Sequence, residues 1–509
     1  MNRMKTMDID IVFDALWRKV KEYRYEIYSS LFFGLLAYGY YFTNMLYNHD
    51  SMNEIVLSYN CYYTSGRWGI DLLAYVFPHP TMPWYDGLVS LFLYTLGICM
   101  VSNLFQLRNK YTRILLAAVV ISFPSISVEY LFIYQAIYYS LAFILAILSV
   151  YLWANAKSLW WYAMAVLSIV MSLGLYQGLL AIASSLMVVY LVREVFLESE
   201  SIDRIVKKGL VGLVVLGAGV VFYFMVTQFV FLVTDSGFND YAKAAMENDS
   251  PLYARLLKPY TRMFEDLLFL NRWRPYVVVS RVSSCFHVLA LLCCGYMLFR
   301  EMRGRTLSEK ALLIALLVLF PLSINFMWAV SNLERATKPL VQVGFLSWFV
   351  LLAVVLENAS KRKLATDMMK LSLCFIIFAN VRFANVTAMR TKILFDHSFS
   401  FYTTLVTQIK SSGLLDDQSK LAICGKTDQF LYDMKRKYPD WMYYPGEGVN
   451  NYSRQNFIRF LLGFDIPSVL QAEKQEIVST KEFQAMPIYP YEGSIRKFGD
   501  VIVVKFSDE

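Results

Sequence analysis

The chain has 509 residues, of which 57% are hydrophobic and 17% charged, and its formal net charge is +8. Because charged types make up about a quarter of the residues of soluble proteins, this composition excludes an ordinary soluble enzyme. The seven cysteines show no Cys-x-x-Cys spacing, which argues against a disulfide framework and a zinc site. No extra acidic cluster demands a divalent ion either, so we expect no metal and no cofactor.

Apolar runs that are long enough to cross a bilayer recur along most of the chain. A helix needs roughly 20 apolar residues to cross about 30 Å of hydrocarbon. Eleven runs approach this length: Ile27–Tyr47, Trp84–Phe105, Ile114–Val128, Leu131–Ala154, Leu159–Leu173, Leu175–Val192, Leu210–Val233, Val277–Phe299, Ala311–Ala329, Leu340–Leu356 and Met368–Thr387. The fifth and sixth are short and separated only by Gly174, so they are either two helices or one kinked or re-entrant element. The sequence predicts a polytopic α-helical membrane protein with about 11 transmembrane helices.

Lysine and arginine are concentrated in alternate connecting segments. The residues that share this placement are Arg18, Lys19, Lys21, Arg24, Arg108, Lys110, Arg113, Lys207, Lys208, Arg300, Arg303, Arg305, Lys361, Arg362 and Lys363. Since basic loops face the cytoplasm, the N-terminus is predicted to be cytoplasmic. An odd number of crossings puts the C-terminus outside, in the periplasm if the membrane is a bacterial inner membrane. The basic excess is therefore a topology signal, and nucleic acid is not expected as a partner.

The end of the chain indicates a different class of structure. We predict a transmembrane domain over residues 1–390 and a small soluble α/β domain over residues 391–509, on the outer side. Two strands, a turn and a short helix indicate this domain: Leu421–Cys424, Val501–Phe506, Gly446–Gly448 and Asn456–Leu462.

The first outer loop opens with His49-Asp50-Ser51, directly after the first apolar run. A carboxylate at the membrane boundary suits a general base, because partial desolvation raises its basicity while substrate hydroxyls can still reach it. The alternative is that Asp50 caps a helix running on through Asn53–Leu57.

The second half of this loop is amphipathic and predicts helices that lie in the membrane interface. Arg67 and Trp68 stand between them in the run Ser65–Gly69, Ser-Gly-Arg-Trp-Gly. The guanidinium fork of Arg67 matches a lipid phosphate. The alternative is an ordinary arginine that extends to the interface beside a tryptophan.

Glu129 lies in the very short second outer loop and is the only charge between Arg113 and Lys157. An ionisable residue at the mouth of two apolar spans is a functional hypothesis, since leaving it in lipid is costly. Gln135, Tyr138 and Tyr139 follow and could bind sugar hydroxyls, the alternative being buried structural hydrogen bonds. Tyr176 and Gln177 add a phenol and an amide after Gly174, where close helix packing is the alternative.

Two further outer segments carry candidates. Arg335 and Lys338 lie one turn apart if helical and could face one phosphate, although Glu334 could instead pair with Lys338. The stretch Leu252–Leu270 is amphipathic and predicts an interfacial helix, which either covers a cleft or only docks on the membrane. Its apolar face comprises Leu256, Tyr260, Met263, Phe264, Leu267 and Leu268, and its polar face Arg255, Lys258, Arg262 and Asp266.

The candidates share one predicted membrane face, whereas the span interiors hold almost no ionisable residues. A transporter would be expected to carry charged or broken-helix sites near the midplane. The distribution therefore favours chemistry at the outer interface, on a substrate that is itself a lipid.

Four segments resemble the serotype-converting O-antigen glucosyltransferases of bacteria and phage. They are His49-Asp50 after the first span, Ser65–Gly69, Gly174–Gln177 and the closing Gly493–Lys505. The resemblance implies a GT-C membrane glycosyltransferase that takes a hexose, with glucose as first choice, from a polyprenyl (undecaprenyl) phosphate. The acceptor would be O-antigen or a related lipid-linked polysaccharide on the outer side, with inversion at the sugar.

The same resemblance implies roles for individual residues. Asp50 would be the general base, with Glu54 as the alternative, and Glu129 would orient the acceptor or assist. Arg67, Arg335 and Lys338 would hold the donor phosphate. The candidates for sugar or acceptor contacts are His49, Glu54, Trp68, Gln135, Tyr138, Tyr176 and Gln177.

A companion flippase and a polyprenyl-phosphate glucose synthase would supply the donor. Two other functions remain open: a flippase or exporter of a lipid-linked sugar, and a polysaccharide polymerase that uses a lipid diphosphate donor.

Overall fold

The computed structural model describes residues 9–47, 50–53, 61–76, 81–197, 200–268, 279–333, 338–358, 363–426, 449 and 453–507. The chain divides into two compact units. The first comprises Met1–Thr43, Cys61–Pro78 and Pro83–Asn385, and the second comprises Asn44–Asn60, His79–Met82 and Val386–Glu509.

The first unit is helical. Its helices are α1 (Ile9–Glu22), α2 (Arg24–Thr43), α3 (Trp68–Val76), α4 (Pro83–Leu104), α5 (Lys110–Ile121), α6 (Pro124–Glu129), α7 (Ala136–Ala154), α8 (Leu159–Leu175), α9 (Leu180–Leu197), α10 (Ile202–Thr234), α11 (Asp240–Met246), α12 (Leu252–Leu267), α13 (Arg281–Glu301), α14 (Leu307–Ile324), α15 (Phe326–Val330), α16 (Lys338–Val341), α17 (Leu346–Asn358) and α18 (Lys363–Ser411). The division between the units falls inside α18, after Asn385.

Seven helical segments in the described residues are long and apolar enough to cross a membrane. They are Pro83–Leu104, Lys110–Ala154, Gln177–Leu197, Ile202–Thr234, Arg281–Glu301, Leu307–Ile324 and Lys363–Ser411. Leu159–Leu175 and Val343–Asn358 are shorter apolar helices. A polytopic helical membrane protein is therefore confirmed, and the number of eleven crossings stays a prediction.

The apolar helices differ in how much of their surface the protein covers. In the most apolar stretch of Gln177–Leu197, which includes α9, 94% of the residues are buried in the protein. In the most apolar stretch of α10 only 22% of the residues are buried. α10 uses one face for packing, on which small residues such as Gly219 allow close approach to Ile169 of α8. An apolar helix surface that the protein does not cover requires an apolar solvent, as lipid provides.

The chain breaks between α8 and α9. Tyr176 ends α8 because its backbone is extended, with φ −157° and ψ 115°, and a turn of 3₁₀ helix over Gln177–Leu179 precedes α9. The fifth and sixth predicted spans are therefore two helices separated by an extended residue.

α12 confirms the helix predicted in this stretch, and the protein covers its residues to different extents. Met263 and Leu267 are buried, whereas Phe264 on the same predicted apolar face is 56% exposed. Arg262, on the predicted polar face, is buried against the ring of Trp328 at 5.1 Å. The helix packs on α15, so contact with that helix, rather than hydrophobicity alone, decides which side is covered.

The second unit contains a three-stranded sheet of order β1-β3-β2. β1 (Lys420–Cys424) pairs in parallel with β3 (Val501–Lys505), and β2 (Ile495–Phe498) pairs antiparallel with β3. β1 and β3 confirm the two predicted strands. The helices are α19 (Arg454–Asn456), which leads into a π-helical turn over Phe457–Leu461, α20 (Gln471–Ser479) and α21 (Lys481–Gln484). The predicted turn Gly446–Gly448 lies outside the described residues.

The segment after α2 contributes to the core of this second unit. Tyr47 and Met52 are buried in one cluster with Tyr402 and Leu405 near the end of α18 and with residues of the sheet. The ring of Tyr47 lies 5.1 Å from that of Phe395. Residues far apart in the sequence thus share one apolar core.

Candidate active site

A tight turn precedes α3. Tyr62–Ser65 form a turn of 3₁₀ helix, and the carboxylate of Asp71 accepts the backbone N–H groups of Tyr62 and Tyr63 at 3.1 and 2.6 Å. Burial raises the pKa of Asp71 to about 6, although these two N–H groups lower it. At neutral pH the carboxylate is therefore charged and ties the turn to α3.

Gly66 ends the turn with a φ of 74°, which glycine adopts without strain. An added Cβ would collide with the hydroxyl of Tyr223 and would lie 2.9 Å from Nε2 of Gln177. The position thus requires glycine both for its backbone angle and for the close approach of two side chains. Arg67 follows, with its N–H donating to the carbonyl of Tyr62 at 3.1 Å.

The Arg67 side chain lies in a polar aromatic niche. Its guanidinium carbon is 5.0 Å from the centre of the Tyr176 ring, and Nη1 donates to Oε1 of Gln135 at 3.4 Å. The Tyr139 hydroxyl donates to the same oxygen at 2.6 Å. Among the described residues, Nε of Arg67 has no acceptor and the guanidinium makes no ion pair. The niche therefore holds a cation without a countercharge from the described part of the chain.

The two short glycine-containing motifs pack directly against each other. A Cβ added at Gly174 would lie 2.6 Å from Cζ2 of Trp68, and one added at Gly69 would lie 3.0 Å from the backbone of Gly174. Trp68 is 8% exposed, and its indole N–H has no acceptor among the described residues. Because both positions are glycine, α3 and α8 can pack closely. This packing places Arg67, just before α3, next to Tyr176, just after α8.

Gln177 and Tyr223 bind the backbone of the turn. Nε2 of Gln177 donates to the carbonyl of Ser65 at 2.8 Å and to the Tyr223 hydroxyl at 2.9 Å. That hydroxyl in turn donates to the carbonyl of Gly66 at 3.0 Å. The amide N–H groups of Gln177 are therefore engaged within the protein.

Asn239, which lies between α10 and α11, binds the same turn. Its Nδ2 donates to Oγ of Ser65 at 2.8 Å and to Oγ1 of Thr64 at 3.2 Å, and its backbone N–H donates to the carbonyl of Thr64 at 2.9 Å. At the other end of α11, the carbonyl of Ala245 accepts the N–H of Asn332 at 2.8 Å. α11 therefore connects the turn before Arg67 with the segment that leads to Arg335.

Tyr223 and Asn239 were not predicted from the sequence. Tyr223 lies inside an apolar run, where a tyrosine gives no distinct signal. Asn239 carries an N-cap signal, and its side chain does accept the N–H of Ala242 at 2.9 Å. An N-cap pattern indicates a helix start, however, and not a distant partner.

Glu129 lies at the end of α6 and is 1% exposed. Its Oε2 accepts the hydroxyl of Tyr94, and its Oε1 has no partner among the described residues. Tyr130 follows directly, with its ring 4.5 Å from that of Tyr38. The carboxyl group is therefore enclosed and held by one phenol, and its second oxygen lacks a partner from the described residues.

Asp50 belongs to the second unit and lies in a turn just before a short 3₁₀ helix, Ser51–Asn53. It is partly buried. His49, Glu54 and most of the predicted Asn53–Leu57 helix lie outside the described residues.

The remaining candidates are divided between described and undescribed parts of the chain. Tyr138 is 7% exposed in α7. The backbone of Lys338 begins α16, but its side chain and Arg335 lie outside the described part. Within that part, no group of three or more His, Cys, Asp or Glu side chains could hold a metal ion.

The sequence model of the family described as glucosyl transferase GtrII matches residues 39–356, more than half of the chain. The protein is a member of the GtrII glucosyltransferase family. This membership confirms the resemblance drawn from His49-Asp50, Ser65–Gly69 and Gly174–Gln177, which all lie in the matched range. No curated protein and no solved structure was found to match the chain.

Gly66→Ala is expected to destabilise this GtrII family member and to weaken its use of the sugar donor. A side chain at positive φ costs about 1–2 kcal/mol, and the added Cβ displaces the Tyr223 hydroxyl. The midpoint of thermal unfolding of the purified protein should fall by several degrees.

Gly217→Ala is the matched control, because a Cβ at that helical position meets nothing within 4 Å. It should be neutral or stabilise by up to about 1 kcal/mol. Equal unfolding midpoints for the two variants would contradict the proposed steric role of Gly66.

Proposed function

We propose that this glucosyltransferase moves glucose from a polyprenyl (undecaprenyl) phosphate carrier to O-antigen or a related lipid-linked surface polysaccharide. The reaction takes place on the periplasmic face of the bacterial inner membrane, where residues 391–509 form a periplasmic domain. The observation that carries this proposal is the Arg67 guanidinium, which lies on Tyr176 and Gln135 without an ion-pair partner among the described residues.

A partly buried cation of this kind favours an anionic ligand. Removing a guanidinium from water without a countercharge is costly, and its planar fork matches phosphate oxygens in two parallel hydrogen bonds. The unpartnered Nε of Arg67 is one donor for such a contact. In a membrane protein of a glucosyltransferase family, the phosphate of a lipid-linked sugar meets both requirements.

The proposed reaction is an inverting displacement at the anomeric carbon. Asp50, or alternatively Glu54, removes the proton of the acceptor hydroxyl as its oxygen forms the new glycosidic bond. The bond between the anomeric carbon and the phosphate oxygen breaks, and its electron pair leaves with the polyprenyl phosphate. Arg67, Arg335 and Lys338 stabilise the negative charge that develops there, and Glu129 assists in orienting the acceptor.

The remaining candidates contact the sugars. His49, Trp68, Gln135, Tyr138, Tyr176 and Gln177 are proposed to line the donor or acceptor sites. A flippase would deliver the donor, and a polyprenyl-phosphate glucose synthase would make it.

Transfer of radiolabelled glucose tests the proposal. Membranes that contain the protein are incubated with undecaprenyl phosphate glucose and purified O-antigen, and the polysaccharide is analysed for one added side-branch glucose. We expect label in the polysaccharide only when both substrates and the protein are present. Movement of the lipid-linked sugar across liposomes without acceptor, and no labelled polysaccharide, would instead support a flippase. Labelled polysaccharide only with a lipid diphosphate donor would support a polymerase.

A further inference from the structure

The turn before Arg67 is held by side chains from three separate segments of the first unit. Gln177 comes from the break between α8 and α9, Tyr223 from α10 and Asn239 from the start of α11. Their hydrogen bonds to the turn all lie between 2.8 and 3.2 Å. Three distant parts of the chain therefore converge on the segment Thr64–Gly66.

The burial of Tyr223 indicates that its hydroxyl is needed for hydrogen bonding. α10 is largely uncovered, and Tyr223 is 4% exposed on the one face that packs inward. A hydroxyl buried on such a face is costly unless it is hydrogen-bonded, whereas phenylalanine would supply the same ring without this cost. The hydroxyl accepts from Gln177 and donates to Gly66, so the site uses both its donor and its acceptor capacity.

Asn239 likewise uses both ends of its amide. Its oxygen accepts the N–H of Ala242 and so caps α11, while its nitrogen donates to Ser65 and Thr64. Capping alone needs only an oxygen, which serine or aspartate also provides. The amide nitrogen therefore stabilises the turn, whereas the amide oxygen caps the helix.

These contacts fix the backbone next to Arg67 and also the backbone next to Tyr176, the ring partner of Arg67. Gly66 immediately precedes Arg67, and Gln177 immediately follows Tyr176, whose ring lies against the guanidinium. The clamp of Gln177, Tyr223 and Asn239 thus holds both the backbone that carries Arg67 and the backbone that carries its ring partner. Because a shift of about 1 Å can cost about a hundredfold in rate, such support has a catalytic consequence.

We propose that Tyr223 and Asn239 are positioning residues that fix the Thr64–Gly66 turn and thereby aim the Arg67 guanidinium at the phosphate of the lipid-linked donor. This inference rests on the proposed function, because it takes that phosphate as the ligand of Arg67. Neither residue contacts the donor in this proposal; both act through Arg67.

Tyr223→Phe tests the proposal because it removes one oxygen and keeps the ring. The KM for undecaprenyl phosphate glucose should rise by up to about tenfold, because the hydroxyl's bonds to Gln177 and Gly66 are lost while Asn239 still holds the turn. The KM for the polysaccharide acceptor should stay unchanged. Ser168→Ala is the matched control, since the buried Ser168 hydroxyl donates to the carbonyl of Met164, at 2.8 Å within α8 and away from the turn. It should leave both KM values unchanged.

A double-mutant cycle separates positioning from general destabilisation. If Tyr223 acts through Arg67, Tyr223→Phe should cause no further loss in an Arg67→Ala background. Independent losses that multiply would overturn the proposal. Asn239→Ser provides a second test, because serine keeps an oxygen for the cap and loses the nitrogen; it should raise the donor KM while α11 stays folded. An unchanged donor KM in both Tyr223→Phe and Asn239→Ser would also overturn it.

Binding of undecaprenyl phosphate to the purified protein distinguishes failure of this inference from failure of the proposed function. If the wild-type protein transfers glucose and both variants bind the lipid as tightly as wild type, the inference is wrong and the function stands. If the wild-type protein binds the lipid but transfers no glucose, and Tyr223→Phe weakens that binding, the function is wrong and the positioning role stands. If the wild-type protein does not bind the lipid, both are wrong.

Discussion

Asp50→Asn is expected to lower glucose transfer by about a hundredfold to ten-thousandfold, the range associated with loss of a general base. Asparagine keeps the shape of the side chain but cannot take the proton of the acceptor hydroxyl. Donor binding should change little, because the phosphate is proposed to be held elsewhere. The measurement is the initial rate of labelled glucose transfer, together with binding of undecaprenyl phosphate.

Glu54→Gln is the comparison that decides between the two acids proposed as base. We expect it to retain most of the activity if Asp50 is the base. A near wild-type rate in Asp50→Asn together with a large loss in Glu54→Gln would transfer the role to Glu54. Retained activity in the variant that combines both substitutions would exclude Asp50 and Glu54 as the base.

Arg67→Ala is expected to reduce kcat/KM for the lipid-linked donor by about ten- to a hundredfold, while the KM for the acceptor is little affected. A hydrogen bond to a charged group contributes about 1.5–3 kcal/mol, and the departing phosphate gains negative charge that Arg67 would stabilise. Kinetics with donor and acceptor varied separately measure the two effects.

Two further substitutions define what Arg67 contributes. Arg67→Lys keeps the charge but loses the planar fork and the stacking on Tyr176, so we expect partial activity. Lys243→Ala removes an exposed positive charge on α11 and should have little effect on either substrate.

One outcome would overturn the role of Arg67. Equal losses in donor and acceptor use for Arg67→Ala would falsify the assignment of Arg67 to the donor phosphate.

Several features could be predicted from the sequence because they depend on local composition. Apolar runs bounded by basic loops indicate membrane helices, since lipid imposes both length and apolarity on a crossing. The short apolar runs at Leu421–Cys424 and Val501–Phe506 likewise indicated strands, which the sheet confirms. The short motifs around Arg67 and Gln177 indicated the family that the match over residues 39–356 shows.

The amphipathic helix α12 illustrates what a local pattern leaves undetermined. Its residue types predicted the helix, but Arg262 and Trp328 decide which face is covered, through a contact between segments that periodicity does not describe. Similarly, the position of Gln177 near the predicted outer end of a span does not indicate that its amide N–H groups bind Ser65 and Tyr223.

The sequence by itself determined the membrane class, the family and the residue types available for chemistry, because these follow from hydrophobicity, charge and short motifs. Only the tertiary structure decided that Gly174 packs on Trp68, that Arg67 lies on Tyr176, and that Tyr223 and Asn239 hold the same turn. It also decided that Tyr47, at the end of the first apolar run, shares a core with residues beyond 386. The physical reason is that these contacts join residues more than a hundred positions apart, and their geometry depends on how helices pack rather than on any local preference.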